Sequence, residues 1–499
     1  MNQDVFDIRK FDKYKEDNRR EVKKAKGGLP LSLWDSYSAF ANSNGGVILL
    51  GVLEREDGSW YTTGLKKEDT RKLVKNFWDT INDQKKVSIN LLTDKDIELY
   101  EVGDDLIIAI MVPMARREDK PVYINDDMFG HTFRRNSEGD YHCTRAQVKA
   151  MLRDQPENTM DMEILEEIPM DYLNIETVHG YRNRHKSLKP GHPFERYSDN
   201  EYLRNIGAAT VSSKDGALHP TGAGLLMFGD EYNIVRQYPE YFLDYREILD
   251  PSIRWTDRLQ SSSGEWSGNI CDFYFRVYNK IIKEVKVPFK MSGGMRVDDT
   301  PIHKALREAL ANCLMNADFY EPRGVVIKLE NHRLTLENPG YIRVGKKQIR
   351  LGGVSDPRNK GLMKMFNLID IGERAGSGVP DIFNIWNDEG LELPEIIEEF
   401  APDRTKLILS FEKKKKQAIK TNDKKQTIKT NDKKQTIKLQ QHTDAIVVYL
   451  KDVGEAKTAD IARELGLSPD RTRVILANMP ELEALGGNRN RTYRLKSDD

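Results

Sequence analysis

The segment EDNRREVK spaces Glu16, Glu21 and Lys23 as E-x4-E-x-K, and Glu54 follows at the end of the apolar run VILLGVL. Two carboxylates brought to about 4 Å repel by roughly 4 kcal/mol at an effective dielectric of about 20, so three that converge call for a proton or a divalent cation between them. Mg2+ or Mn2+ suits an all-carboxylate donor set, and such an ion can activate water and stabilise a phosphoryl transition state. By composition alone the same residues read as an ordinary charged segment. A second set lies in REALANCLMNADFYEPRG, where Glu308, Asn312 and Asn316 recur every four residues and so share one helix face. A polar stripe of this kind is commonly solvated surface, but GERAGSG (372–378) downstream offers flexible backbone amides that can close on phosphates. A third set is cationic: Arg471 and Arg473, then Arg489, Arg491 and Arg494, a residue type that reaches base edges and phosphate oxygens.

These residues need elements to hold them. Leu31 to Asn42 has helical apolar spacing, NSNGG supplies a turn, Val47 to Leu53 reads as a buried strand that delivers Glu54, and EREDG starts a hairpin that resumes at Trp60. Helix is expected from Thr70 to Ile81, strands at Ile97 to Val102 and Leu106 to Met111, and a closing helix from Arg145 to Arg153, so that one α+β domain spans 1–155. Residues 156–230 read as a connecting helical segment, with a polar crossing from Gln155 to His179 and a helix at DNEYLRNIGA. In the next domain, 231–412, the aromatics Tyr238, Tyr241, Phe242 and Tyr245, then Phe273, Tyr274, Phe275 and Tyr278, are strand-prone. Pro301 to Phe319 is a helix carrying Glu308, and Val325 to Leu329 pairs with Arg333 to Leu336, which lays a helix on a sheet.

Residues 413–440 repeat the nonapeptide KKQTIKTND and read as a flexible linker. Residues 441–499 run helix (His442 to Lys451), helix (Thr458 to Leu465), helix (Ser468 to Met479) and hairpin (Leu482 to Lys496), the order of a winged helix-turn-helix. That order puts Arg471 and Arg473 at the start of a recognition helix and Arg489, Arg491 and Arg494 on the wing. The expected fold class is α+β multidomain.

At 499 residues the chain is too long for one core. Hydrophobic residues at 38% and charged residues at 31% exclude both wholesale disorder and a membrane-embedded protein, and no apolar run approaches the roughly 18 residues of a span. The charged N-terminus has no apolar signal region, so a cytoplasmic location without membrane contact is expected. Cys143, Cys271 and Cys313 are odd in number and far apart, which argues against a disulfide framework or a zinc site. The net charge of −1 hides an asymmetry: Lys413 to Lys438 holds eleven Lys against two Asp, a local +9 that leaves −10 elsewhere. Nucleic acid, another anionic partner or the chain's own acidic face are the possible receivers of that strap.

EDNRREVK followed by SAFANSNGGVILLGV resembles the Schlafen AlbA-type domain, and FRRNSEGDY (133–141) resembles that family's closing arginine-rich strand. The resemblance implies that Glu16, Glu21 and Glu54 hold Mg2+ or Mn2+ and cleave RNA in nuclease members, with Lys23 as basic companion, and that Arg134 and Arg135 contact nucleic acid. Glu54 stands where nuclease members mostly show Asp. REALANCLMNADFYEPRG with LENPG, DPRNKGL and GERAGSG resembles the GHKL-like ATP-binding module, an α/β sandwich found after AlbA-type domains in bacterial transcriptional regulators and helicase-related proteins. This implies ATP with Mg2+: Glu308 orienting or activating water, Asn312 coordinating Mg2+ through the phosphates, Gly376 and Gly378 in the lid, and Asn316, Asp318, Glu337, Asn338 and Gly340 as further nucleotide contacts. Two positions depart from that family: ENPG (337–340) replaces the adenine-reading D-x-G-x-G box, and Asn316 replaces a His.

Three functions follow as expectations. The first is a DNA- or RNA-binding transcriptional regulator with a nucleotide module and a tethered winged helix. The second is a Schlafen-type metal-dependent RNase acting in antiphage defence, and the third a scaffold with vestigial sites. Whether an endoribonuclease or ATPase activity is present stays open on the sequence, and self-association into a homo-oligomer is expected.

Overall fold

The run VILLGVL does not make one strand. In the computed structural model it breaks at Gly51, whose φ of 88° is open to glycine, and becomes β2 and β3 below. The structure describes residues 5–250, 252–285, 290–292, 295–297, 300–372, 376–400 and 402–414; beyond these it describes 446, 450, 454–464, 472, 476, 479, 482–485 and 492–495. The chain is of the mixed α and β, multidomain class expected, and forms two compact units, 1–414 and 415–499.

The first unit opens with β1 (Arg20–Lys23), α1 (Ser32–Asn42), β2 (Gly46–Leu50), the short hairpin β3 (Val52–Glu54) and β4 (Trp60–Thr62), α2 (Lys67–Ile81), β5 (Ile97–Val102) and β6 (Asp105–Val112). The sheet runs β1-β2-β6-β5, with β1 parallel to β2 and the other pairs antiparallel. Both faces of this sheet are covered, which explains why β2 is apolar at every position. Ile48 and Leu50 pack with Leu33, Tyr37 and Phe40 of α1, while Val47 and Leu49 pack with Val22, Phe11 and Trp60 on the other side. A hairpin, β7 (Phe133–Asn136) and β8 (Gly139–His142), crosses α1, and α3 (Arg145–Asp154) follows behind a Thr144 cap that accepts from Gln147 N. Asn42 ties these pieces together: its Nδ2 donates to the carbonyls of Val122 and Phe133 at 2.7 and 3.0 Å, and its Oδ1 accepts from Val122 N.

Residues 156–230 are helical, with α4 (Ile175–Leu188) and α5 (Asp199–Ile206), then β9 (Ala209–Val211), β10 (Leu218–Pro220) and α6 (Gly222–Phe228). They do more than connect, however. Tyr181, Tyr202, Leu225 and Phe228 belong to the same core as Tyr274, Leu310 and Phe366, so the crossing read from a polar composition is one side of a larger domain.

The chain continues through α7 (Glu231–Gln237), β11 (Leu243–Ile248), β12 (Asp257–Gln260), α8 (Ile270–Glu284), β13 (Lys290–Ser292), β14 (Met295–Val297), α9 (Pro301–Met315), β15 (Val325–Glu330) and β16 (Arg333–Pro339). It closes with α10 (Lys346–Leu351), α11 (Lys360–Leu368), α12 (Gly378–Asp388), β17 (Glu395–Glu399) and β18 (Arg404–Ser410). The six-stranded sheet runs β12-β11-β15-β16-β18-β17, and only β11 and β15 are parallel. Its inner face meets α8 and α9 through Tyr245, Ile327, Leu334 and Leu336. The expectation of strand around Phe273 to Tyr278 is corrected: these residues form α8, because Ile270, Phe273, Tyr274, Val277 and Ile281 recur at helical spacing and all are buried. Helical period overrides aromatic β-propensity here.

In the second unit, β19 (Glu455–Lys457), a helix over Thr458–Glu464, β20 (Leu482–Leu485) and β21 (Thr492–Leu495) are described. The sheet order is β19-β21-β20, and Ile446, Leu450, Ile461, Leu476 and Tyr493 share one core. The strand β19 joins the expected hairpin as a third member. Arg471, Arg473, Arg489, Arg491 and the strap from 415 to 438 lie outside the described residues. Among the described residues no helix is long and apolar enough to cross a membrane.

Candidate functional site

The helix spacing of Glu308, Asn312 and Asn316 produces a bonded seam along α9. Asn312 Nδ2 donates to Glu308 Oε1 at 2.9 Å and to the Glu308 carbonyl at 3.0 Å, and Asn316 Nδ2 donates to the Asn312 carbonyl at 2.9 Å. The seam forms one wall of a cleft. Leu336 and Asn338 of β16 and Thr405 and Leu407 of β18 make its floor, Tyr341 to Val344 and Val354 to Pro357 make its far side, and Gly376, against Val354, and Gly378, against Glu308, complete its rim. Gly378 opens α12 so close to the seam that a Cβ there would lie 2.0 Å from Glu308 Oε1.

Asn338 reaches the floor because strand residues alternate, Leu336 and Asn338 facing the helices. Its Nδ2 donates to the Pro339 and Asn316 carbonyls at 3.1 and 3.4 Å. The turn that follows it depends on Gly340, with φ of 97°, where a Cβ would lie 2.1 Å from Arg358 Nη1. Glu337, by the same alternation, faces the opposite side of the sheet and does not line the cleft. It accepts from Lys328 and Arg404, each at 3.0 Å; burial favours its protonated form, but these two cations hold it below the usual range. Asp318 also stands outside the cleft, ion-paired to Arg153 at 2.9 Å. Glu337 and Asp318 are therefore withdrawn as nucleotide contacts.

The N-terminal carboxylates do meet. Glu16 Oε1 accepts from Val22 N at 3.0 Å, and Glu54 Oε1 accepts from Glu16 N at 3.4 Å. Burial first, then the facing charges of Glu21 and Glu54, push Glu16 above its ordinary range, against the lowering bond from Val22 N. Glu21 is already neutralised: Lys23 Nζ lies 2.6 Å from Oε1 and Arg135 Nη1 lies 2.8 Å from Oε2. Among the described residues no group of three or more His, Cys, Asp or Glu is arranged to hold a metal ion. With both oxygens of Glu21 covered by cations of the chain, the corner does not fit Mg2+ or Mn2+, and no chemical step is derived through one.

Arg134 and Arg135 are not the exposed phosphate contacts that the resemblance implies. They are 9% and 5% exposed. Arg134 Nη1 pairs with Asp403 at 2.6 Å, and Arg135 joins Glu21 to Asp140 while donating to the Asp17 and Arg20 carbonyls.

Residues 11–144 match the family "Schlafen, AlbA_2", and residues 322–409 match "Putative ATP-dependent DNA helicase recG C-terminal". The chain carries a Schlafen AlbA_2 domain and a recG-type ATPase-like domain. The second of these descriptions names an ATP-dependent DNA helicase. Between the two, residues 149–244 match a domain of unknown function, DUF8451. No curated protein matches the chain. Among solved structures, the DIP2311 protein from Corynebacterium diphtheriae is similar at 17% identity, over 96% of this chain and 92% of that one, with a TM-score of 0.41. The N-terminal domain of a RecG-related protein from Nitrosomonas europaea is similar at 25% identity, over 28% of this chain and 90% of that one, with a TM-score of 0.21.

The cleft of the ATPase-like domain fits a nucleotide by its donor set. An apolar floor with one carboxamide, Asn338, suits a base, and the Glu308 and Asn312 seam under the Gly376 and Gly378 lid suits phosphates with their cation. Among the described residues nothing donates to Asn312 Oδ1, which leaves that oxygen for such a ligand. Tyr341, Arg343, Asp356 and Thr405 also line the cleft, and sequence reasoning missed them. The motif residues ENPG and DPRN point to them by adjacency, but only the fold brings the two segments together.

Proposed function

We propose that this protein is a nucleic-acid-binding regulator that responds to a nucleotide held in its recG-type ATPase-like domain. The observation that carries this reading is the cleft itself: Glu308 and Asn312 from α9, Asn338 from β16, Thr405 from β18 and the Gly376–Gly378 lid come from four separated stretches of chain onto one concave surface. Bound ATP with Mg2+ would supply a polyphosphate whose presence or loss distinguishes two states. Asn312 and the backbone at Gly376 and Gly378 would hold its charged end, and Asn338 would orient its base.

Nucleic acid would be met at three places. The second unit, where the sequence order of a winged helix-turn-helix would put Arg471 and Arg473 on a recognition helix and Arg489, Arg491 and Arg494 on a wing, would read duplex DNA. Of these, Arg494 pairs with Glu483 at 2.9 Å. The Lys413 to Lys438 strap would add sequence-independent affinity, and the AlbA_2 domain would meet RNA or DNA at its carboxylate corner. Titration of the full chain with ATP and Mg2+, and separately with duplex DNA, single-stranded DNA and tRNA, tests the reading. Saturable binding of ATP and of at least one nucleic acid is expected, and failure of either overturns it.

A second reading, a Schlafen-type RNase, has the neighbouring Glu16, Glu21 and Glu54 in its favour and the pairing of Glu21 with Lys23 and Arg135, which leaves the corner unsuited to a metal ion, against it. It requires RNA cleavage with Mg2+ or Mn2+ that Glu21→Gln abolishes. Absence of cleavage by the wild-type chain removes it.

A further inference from the structure

Strand β7 carries two consecutive arginines that serve opposite sides of the protein, because neighbouring strand residues point to opposite faces. Arg134 reaches the ATPase-like domain, with its Nη1 2.8 and 2.6 Å from the two oxygens of Asp403 and its guanidinium 5.3 Å from the Tyr341 ring and 4.6 Å from Phe400. Arg135 reaches the carboxylate corner and neutralises Glu21.

The pocket side of this strand is tied to the nucleotide cleft itself. The Asp403 carbonyl accepts from Gly340 N at 2.9 Å, at the end of the turn that begins with Asn338. Tyr341, next in sequence, lines the cleft and is surrounded by Lys120, Arg134 and Arg358. Gly345, just before α10 on the far wall, faces Met114 and Asn44 of the AlbA_2 domain. A ligand that shifts the 338–343 turn must therefore shift Asp403 or strain its buried pair with Arg134. Packed interiors respond to such shifts by moving whole elements.

We propose that nucleotide occupancy of the cleft controls how much negative charge the carboxylate corner shows to nucleic acid, by moving β7 and with it Arg135. This rests on the nucleotide reading given above and adds a sign. Glu21 lies 2.6 Å from Lys23 Nζ and 2.8 Å from Arg135 Nη1, about as close as charged nitrogen and oxygen approach, although no hydrogen bond reaches its Oε2. Displacement of β7 can only lengthen the Arg135 contact. Nucleotide therefore uncovers Glu21 and weakens binding of a phosphate backbone.

The test uses the full chain and a labelled single-stranded RNA, followed by fluorescence anisotropy with and without a non-hydrolysable ATP analogue and Mg2+, while calorimetry records analogue binding in the same buffer. The expected result is RNA affinity at least about fivefold lower with analogue bound, and analogue affinity lowered by the same factor with RNA bound, since linkage is reciprocal. Asp403→Asn should abolish the coupling while leaving each affinity alone within about twofold. Arg134→Lys, which keeps the charge, should retain part of it, and Glu21→Gln should remove it because no charge is left to uncover. If the analogue binds and RNA affinity is unchanged or higher, or if the chain binds no RNA, this inference fails while the nucleotide reading stands. If the analogue does not bind, the nucleotide reading fails and takes the inference with it.

Discussion

Gly378 and Glu308 meet backbone to carboxylate: the first residue of α12 leaves no room for a Cβ, which would sit 2.0 Å from Glu308 Oε1. The lid thus closes directly on the seam that would hold phosphates. Gly378→Val must push α12 away from α9. We expect nucleotide affinity to fall at least about tenfold, which is about 1.4 kcal/mol, with the rest of the unit still folded. Calorimetric titration beside a circular-dichroism melt checks both halves of that statement.

The end of α3, within the DUF8451 match, is held to the ATPase-like domain by Arg358 and Asp154. The guanidinium meets both carboxylate oxygens, at 3.1 and 2.9 Å, and Nη1 also donates to the Asn316 carbonyl. Burial would raise Asp154, but Arg358 holds it below its ordinary range. Asp154→Asn leaves a buried guanidinium short of its partner, so a loss of about 3–5 kcal/mol is expected. Chemical denaturation of both proteins at neutral pH measures it. Because the Asp154 pKa is depressed, the pair's contribution is present above the unfolded carboxyl pKa and is lost as pH falls through the folded one.

Lys120 supplies a pH dependence of the same sign in a higher window. Its ammonium is buried beside Arg134 and donates to the Asn42 carbonyl; burial, with Arg134 nearby, pushes it down to about 7. In the unfolded chain it keeps its proton to about pH 10.4. Between those values the unfolded state holds more protons, so stability rises with pH, by about 2 kcal/mol from pH 7 to pH 9. Lys120→Met should flatten that rise, and melting temperatures at the two pH values decide it.

What the sequence made legible follows from which signals are local. The helix at Leu31 to Asn42, the strands at Ile97 to Val102 and Leu106 to Met111 and the seam on α9 all rest on periodicity, and they appear where expected. Gly51 splits VILLGVL at a φ of 88°, and Leu65, from elsewhere in the chain, packs where a Cβ would stand. Phe273 to Tyr278 misled by residue type while their spacing was helical. Of the residues expected at the nucleotide site, Glu308, Asn312, Asn316, Asn338, Gly376 and Gly378 line the one cleft. Glu337 was misassigned by one step of strand alternation, and Arg134 and Arg135 by charge, since their partners Asp403 and Glu21 lie far away along the chain.

The strap gives a prediction that needs only its charge. Deleting Lys413 to Lys438 removes eleven Lys, and every phosphate that these lysines neutralise adds about 0.9 to the slope of log affinity against log salt on duplex DNA. DNA titrations between low and physiological salt will show a flatter slope for the deletion if the strap binds phosphate, and an unchanged slope if it is only a tether.

The central claim is that the cleft over α9 holds a nucleotide, and titration calorimetry of the full chain with ATP and Mg2+, set beside Asn312→Ala, tests it most directly. Saturable binding near one nucleotide per chain is predicted, with an affinity at least about tenfold weaker in the variant, which lacks both the bond to Glu308 and the Oδ1 offered to the ligand. No saturable heat from the wild-type chain, or equal affinity in the two proteins, would contradict it.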